Sequence, residues 1–299
     1  MAARQGRKRA GTRARQRDAQ GRVHLELLRD PATGSESVRL LRPVFQEPWQ
    51  NELVAAVANT VRSFCKAQPD LERARALAQH LMDQTSRLAD GLLAGAGATV
   101  ACKAGCDHCC HQVVGITAPE ALAIVDHVRH AWSLAEVSAL AARVADAYQR
   151  SRGLSSAQRF SPEHPCPLLN AGKCSVYEVR PLACRGVNSL SESDCATRLR
   201  EPAARAAFLA SGSGGQSYLE PIRAFHAMSA GLQLGLSELY RLDMRPLDLT
   251  AALHLLLNGA ASNEGDWLAG RRPFELAVRD EQTDDVELRR TSGAVTPRQ

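Results

Sequence analysis

Eight of the nine cysteines stand in two groups, Cys102, Cys106, Cys109 and Cys110 in one, Cys166, Cys174, Cys184 and Cys195 in the other. A deprotonated thiol is a strong ligand for zinc and for the irons of an iron–sulfur cluster. Several thiols within one short turn can meet at a metal before distant parts of the chain are positioned. Cys109 and Cys110 are adjacent and fit poorly on a single tetrahedral zinc, because neighbouring side chains diverge. That favours a polynuclear centre or two centres. Eight thiols suffice for two all-cysteine zinc sites, or for one cluster with thiols to spare. His108, His111 and His164 are substitute ligands that the thiol count makes unnecessary. Cys65 stands apart, in register with Val54, Ala58 and Val61 on one helix face, and is read as core.

The elements around these residues read as helices. Leu53, Val57, Val61 and Phe64 recur at helical spacing from Trp49 to Lys66, entered at Pro48, and Leu71, Ala74, Ala78, Leu81, Leu88 and Leu92 do so from Asp70 to Leu93. Gly91, Gly95 and Gly97 end that pattern and deliver the chain into a first loop carrying four cysteines. Thr117-Ala118-Pro119-Glu120 is a capping box with proline in the first turn, and Ser133 to Glu136 repeats the signal. An antiparallel helix pair is expected there, with Ala121, Ile124, Val125, Val128 and Trp132 inward on one member and Val137, Ala141, Val144 and Tyr148 on the other. Residues 151–196 hold too many prolines and glycines for long elements, and the remaining clustered cysteines lie there. Helices are expected again over 196–210, 218–239 and 247–258, with a Gly- and Ser-rich break at 211–215. The fold class is therefore mainly α, a helical scaffold with two irregular cysteine-rich metal-binding loops. The expected divisions are a disordered basic tail at 1–22, a cysteine-cluster domain at 48–196, a helical region at 197–278 and a frayed tail at 279–299.

Two blocks carry a family resemblance. The first runs from Cys102 through Cys109-Cys110 to Thr117-Ala118-Pro119-Glu120. The second is Cys166-Pro167-Leu168-Leu169 through Gly172-Lys173-Cys174 and Tyr177 to Arg180-Pro181-Leu182-Ala183-Cys184-Arg185. Together they resemble the YkgJ-like, or CxxCxxCC, cysteine-cluster family, over about a third of the chain. The resemblance implies chelation of zinc or iron. It departs at Cys102 and Cys106, which three residues separate rather than two. A related branch, the flagellin lysine N-methylases, implies a second reading, transfer of a methyl group from S-adenosylmethionine to protein lysines. No glycine-rich nucleotide loop after a strand supports it, so a bound methyl donor would fall to the metal or to Arg180 and Arg185. Cys102, Cys106 and Cys109 also match the spacing used by radical S-adenosylmethionine enzymes, but the strand–helix alternation of their barrel is missing. Arg180 and Arg185 bracket Cys184, where a guanidinium offsets the negative charge of metal–thiolate bonds or grips a substrate anion.

Charge and composition bound the remaining classes. The chain carries net charge +5, yet residues 1–22 alone hold eight Arg and Lys against one Asp, so the rest is slightly acidic. This tail is expected to be solvated, and a zinc-stabilised interaction module whose tail contacts nucleic acid or a protein partner is a third reading. Aromatics are only 4% of residues while alanine dominates the apolar count, which disfavours an all-β fold. No stretch approaches the roughly 20 apolar residues of a membrane span. The expected compartment is the cytoplasm, where thiols stay reduced.

Overall fold

The computed structural model describes residues 23–29, 36–40, 45, 47–65, 68–211, 216–240, 242–278 and 286–289. The basic tail at 1–22 and the Gly-rich residues 212–215 lie outside them. Among the described residues the fold is mainly α, and no helix is long and apolar enough to cross a membrane.

Two short strands, β1 (Val23–Arg29) and β2 (Glu36–Leu40), pair antiparallel with Leu25 opposite Leu40. Helix α1 (Pro48–Phe64) follows, with proline in its first turn, and buries Val54, Val57, Ala58 and Val61. Cys65 closes it, packed against the core and hydrogen-bonded with Tyr240. Helix α2 (Leu71–Gly95) is capped by Asp70, whose side chain accepts the Arg73 N–H, and buries Ala74, Leu77, Ala78, Leu81 and Met82. The first cysteine loop then passes through a 3-10 turn at His108–His111 into β3 (Gly115–Ile116).

Both capping boxes form. Thr117 and Glu120 open α3 (Ala118–Ala131), and Ser133 and Glu136 open α4 (Leu134–Ser151). Ala121, Ile124, Val125 and Val128 are buried as their spacing requires, while Trp132 is only partly buried. On α4 Val144 is buried and Val137 and Tyr148 pack against the core as expected, while Leu140, Ala147 and Ser151 are buried beside them. The reason is its neighbour. Helix α3 lies mainly on α2, whereas α4 packs mainly on α10 (Leu249–Leu257), so the two are not a closely packed pair.

The breaker-rich stretch folds into small pieces: α5 (Ser156–Arg159), the hairpin β4 (Leu169–Asn170) and β5 (Lys173–Cys174), a 3-10 turn at Tyr177–Val179, α6 (Leu182–Gly186) and α7 (Glu192–Arg200). The helix expected over 196–210 is broken at Glu201, which is extended before Pro202, so α8 (Pro202–Ser211) starts anew. Helix α9 (Leu219–Tyr240) crosses the molecule against α1, α2 and α6. Beyond it, β6 (Leu247–Asp248) pairs with β3, α10 is capped by Asp248, and α11 (Asn263–Leu268) carries the fully buried Trp267. Strand β7 (Val286–Arg289), in the terminal stretch where no element was expected, runs parallel to β1.

Buried residues of α9 and α10 share one core with those of α1 to α4, so the expected regions 48–196 and 197–278 are not separate cores. Arg245, 5% exposed, ties the carboxylates of Asp243 at 2.6 Å and Glu275 at 2.5 Å, and the Trp267 indole N–H donates to the Asp243 carbonyl at 2.9 Å. Glu264 on α11 takes both Arg75 of α2 and Arg129 of α3. The closest approach near the cysteines is at Gly186 of α6. A Cβ there would lie 2.4 Å from the Phe225 ring and 2.7 Å from the Pro221 carbonyl, both on α9. Gly186→Ala is therefore expected to destabilise the chain by about 1–3 kcal/mol, the usual penalty for overpacking. Gly265→Ala, where a Cβ meets nothing within 4 Å, should not. Equal denaturation midpoints for the two variants would contradict the packing.

Candidate metal centre

All nine cysteines are free thiols. Four devices place five of the eight clustered ones, Cys109, Cys110, Cys166, Cys174 and Cys184.

The first is the 3-10 turn that puts Cys109 and Cys110 side by side. The second is a backbone bond from the Cys166 N–H to the Cys110 carbonyl at 2.7 Å, which joins the two cysteine loops. The third is the β4–β5 hairpin. Its turn residues Ala171 and Gly172 have φ of 48° and 72°, both left-handed, and the tight reversal sets Cys174 opposite Leu169.

The fourth device holds Cys184. Helix α6 begins at Leu182 after Pro181, which has no side chain able to cap it. The cap comes instead from Glu120, whose Oε1 accepts the Leu182 N–H at 2.8 Å. Its Oε2 accepts the Thr117 N–H and hydroxyl, each at 2.8 Å. A carboxylate 1% exposed thus caps two helices at once. Arg185 completes the clamp, donating to the carbonyls of Arg180 at 2.8 Å and Glu178 at 2.5 Å and to the Ser86 hydroxyl at 2.7 Å. Residues Glu120 and Ser86 act here through contacts that only the folded chain creates. The capping-box pattern marked Glu120 for the local cap alone, and nothing in the sequence marked Ser86.

Polar contacts tie the first loop to the start of α7: Ala101 donates to the Ser189 carbonyl at 2.8 Å, Cys102 Sγ lies 3.9 Å from the same oxygen, and Lys103 pairs with Glu192 of α7 at 2.6 Å.

Burial and mutual repulsion push most of these thiols toward the protonated form. Burial is the leading cause at Cys166, which is pushed up to about 12, and at Cys184, Cys174, Cys106 and Cys102. At Cys106, Cys166 and Cys174 the backbone N–H two residues on, that of His108, Leu168 and Val176, favours the thiolate instead. Cys109 goes the other way: the Cys110 thiol donor, and more weakly the Arg180 charge, hold it below the ordinary thiol range.

The arginines differ in what they do. Arg185 is spent on the loop backbone. Arg180 stacks on the Tyr177 ring at 4.2 Å, favours the thiolates of Cys109, Cys174 and Cys184, and keeps a buried Nε with no hydrogen-bond partner among the described residues. On the other side Arg198 donates to Cys195 Sγ at 3.4 Å. His111, buried, has Nδ1 3.2 Å from the Ser161 carbonyl. Among the described residues no three Cys, His, Asp or Glu side chains form a ready-made metal cage. The donor set itself, soft thiols with amides and a guanidinium facing them, suits zinc or iron.

Residues 101–201 match the model of the CxxCxxCC family, described as "Putative zinc- or iron-chelating domain". The matched span contains all eight clustered cysteines and ends one residue short of α8. No curated protein and no solved structure matches the chain.

Glu120→Ala should leave three buried donors without an acceptor and cost about 3 kcal/mol or more. Glu120→Gln, which keeps one acceptor oxygen, should cost less. Urea midpoints measure both, and an unchanged midpoint for the alanine variant would refute the double cap.

Proposed function

We propose that this chain is a metal-binding protein, holding zinc or an iron–sulfur cluster through Cys102, Cys106, Cys109, Cys110, Cys166, Cys174, Cys184 and Cys195. One observation carries the reading: all eight clustered cysteines are free thiols within the span 101–201 that matches a zinc- or iron-chelating domain, and the Cys166 N–H to Cys110 carbonyl bond joins their two loops. A cation that displaces protons from these thiols turns their mutual repulsion into attraction. The amides behind Cys106, Cys166 and Cys174 favour the charged sulfurs such a cation needs.

Arg180 and Arg185 have separate roles in this reading. Arg180 faces the thiolates and offsets the negative charge that several sulfurs leave on one metal, while Arg185 holds the loop that presents Cys174 and Cys184. Four thiolates per ion fit zinc, and the same ligands serve an iron–sulfur cluster, so composition of the bound group is the measurement that matters.

Metal and sulfide analysis with an ultraviolet–visible spectrum, on protein purified without oxygen, tests the proposal. Bound metal is expected, with reduced content in both Cys109→Ser and Cys184→Ser. A broad visible absorbance with iron and sulfide would assign a cluster, and zinc without a chromophore would assign tetrahedral sites. Metal content unaffected by either substitution would refute the site.

A further inference from the structure

We propose that the cleft between the end of α4, the start of α10 and the two cysteine loops binds phosphate, held by Arg150, Arg159, Thr250 and His111. The proposal stands apart from metal binding, because no thiol is a ligand in it, and it gives the chain a second site.

The cleft is lined by Arg150 of α4, Arg159 of α5, Thr250 of α10, and His111, His164 and Cys166 of the cysteine loops. Among the described residues no Asp or Glu lines it, so its polar wall offers hydrogen-bond donors and imidazoles rather than negative charge. Its cavity volume is about 20 Å³, against the roughly 10–15 Å³ that one water requires, so it takes one small group and not a bulky ligand.

Two of these side chains are buried with an unused polar atom. Thr250 is 6% exposed in the first turn of α10, the end of a helix that favours anions, and its hydroxyl has no hydrogen-bond partner among the described residues. His111 is 9% exposed, and its Nδ1 lies 3.2 Å from the Ser161 carbonyl. A carbonyl only accepts, so Nδ1 carries the hydrogen, and Nε2 of the neutral ring presents a lone pair. Nε2 has no partner among the described residues.

The arginines are placed by ion pairs that leave donors over. Arg159 Nη1 meets Asp248 Oδ2 at 2.6 Å, and the other oxygen of that carboxylate accepts the Ala251 N–H at 2.9 Å. Asp248 is thus occupied on both oxygens and does not line the cleft, while Nε and Nη2 of Arg159 have no partner among the described residues. Arg150 pairs with Asp146 one turn back on α4, and both side chains are exposed, so a bound anion competes for this guanidinium at little cost.

The set selects among oxyanions. The two arginines and the Thr250 hydroxyl donate to oxygens, whereas His111 Nε2 needs a donor. Sulfate and carboxylates offer oxygens without an O–H near neutral pH. Hydrogen phosphate offers both, which is why phosphate is the ligand proposed. The free ion and the phosphate end of a small ester share this chemistry.

Calorimetric titration of inorganic phosphate into the reduced full chain near neutral pH tests the cleft. One equivalent is expected to bind, with sulfate and acetate about tenfold weaker or more at matched ionic strength. Thr250→Val, close in shape but without the hydroxyl, and Arg150→Gln, at an exposed pair, should each weaken phosphate about tenfold or more with unchanged far-ultraviolet circular dichroism, the effect of one hydrogen bond to a charged group. O-phosphoserine bound more tightly than inorganic phosphate would make the occupant an esterified phosphate, and weaker binding would make it the free ion. Sulfate bound as tightly as phosphate would overturn the role of His111 and with it the choice of phosphate. Phosphate bound equally well by both variants, or not bound by the unmodified protein, would overturn the site.

Discussion

Glu120 joins two stretches 62 residues apart, and the cysteine array takes its shape from that join. Its burial raises the carboxyl's proton affinity, and three donors aimed at it work against that cost. Such a group is expensive unless fully satisfied, so it specifies one arrangement: the start of α3 beside the start of α6. Arg185, three residues after the Leu182 N–H that donates to Glu120, then gathers the carbonyls of Glu178 and Arg180 and the side chain of Ser86 on α2. The second cysteine loop is thereby folded onto α2 and α3 rather than onto a metal alone.

What was legible beforehand was local. Both capping boxes, the proline entries of α1 and α3, and the buried positions of α3 follow from residues within a turn or two of each other. The inward face of α4 was legible in part: Val144 is buried and Val137 and Tyr148 pack against the core, whereas only packing on α10 selects Leu140 and Ala147. The break at Glu201 was readable from Pro202 but was hidden within a run of alanines. The link between the cysteine loops was not legible, because it depends on the Cys166–Cys110 backbone bond and on where α7 lies relative to the first loop.

The helices after residue 196 also acquire a role that periodicity could not assign. Small residues set how closely α9 can approach. Cβ atoms at Gly231 and Gly235 would lie 2.6 Å from those of Val57 and Val61 on α1, as one at Gly186 would press on Phe225. Helix α9 thus fixes α1 on one side and α6 on the other, and the position of Cys184 depends on residues far outside the matched span. The buried Arg245 cluster with Asp243 and Glu275 holds the segment between α9 and α11 in the same way.

This arrangement separates folding from metal binding more than a small zinc domain does. In a short zinc finger the metal replaces the missing core, and the chain unfolds without it. Here buried side chains of α1 to α4, α9 and α10 form a continuous core. Metal still stabilises by mass action, because it binds the folded array and adds free energy that grows with the logarithm of its concentration over its dissociation constant. That energy acts chiefly on the loops between α2 and α3 and between α4 and α7 and on α7 itself, where the thiols are. Loss of metal should consequently loosen the loops and restore repulsion and protonation among the sulfurs, while the helical frame that aims them persists for the next ion.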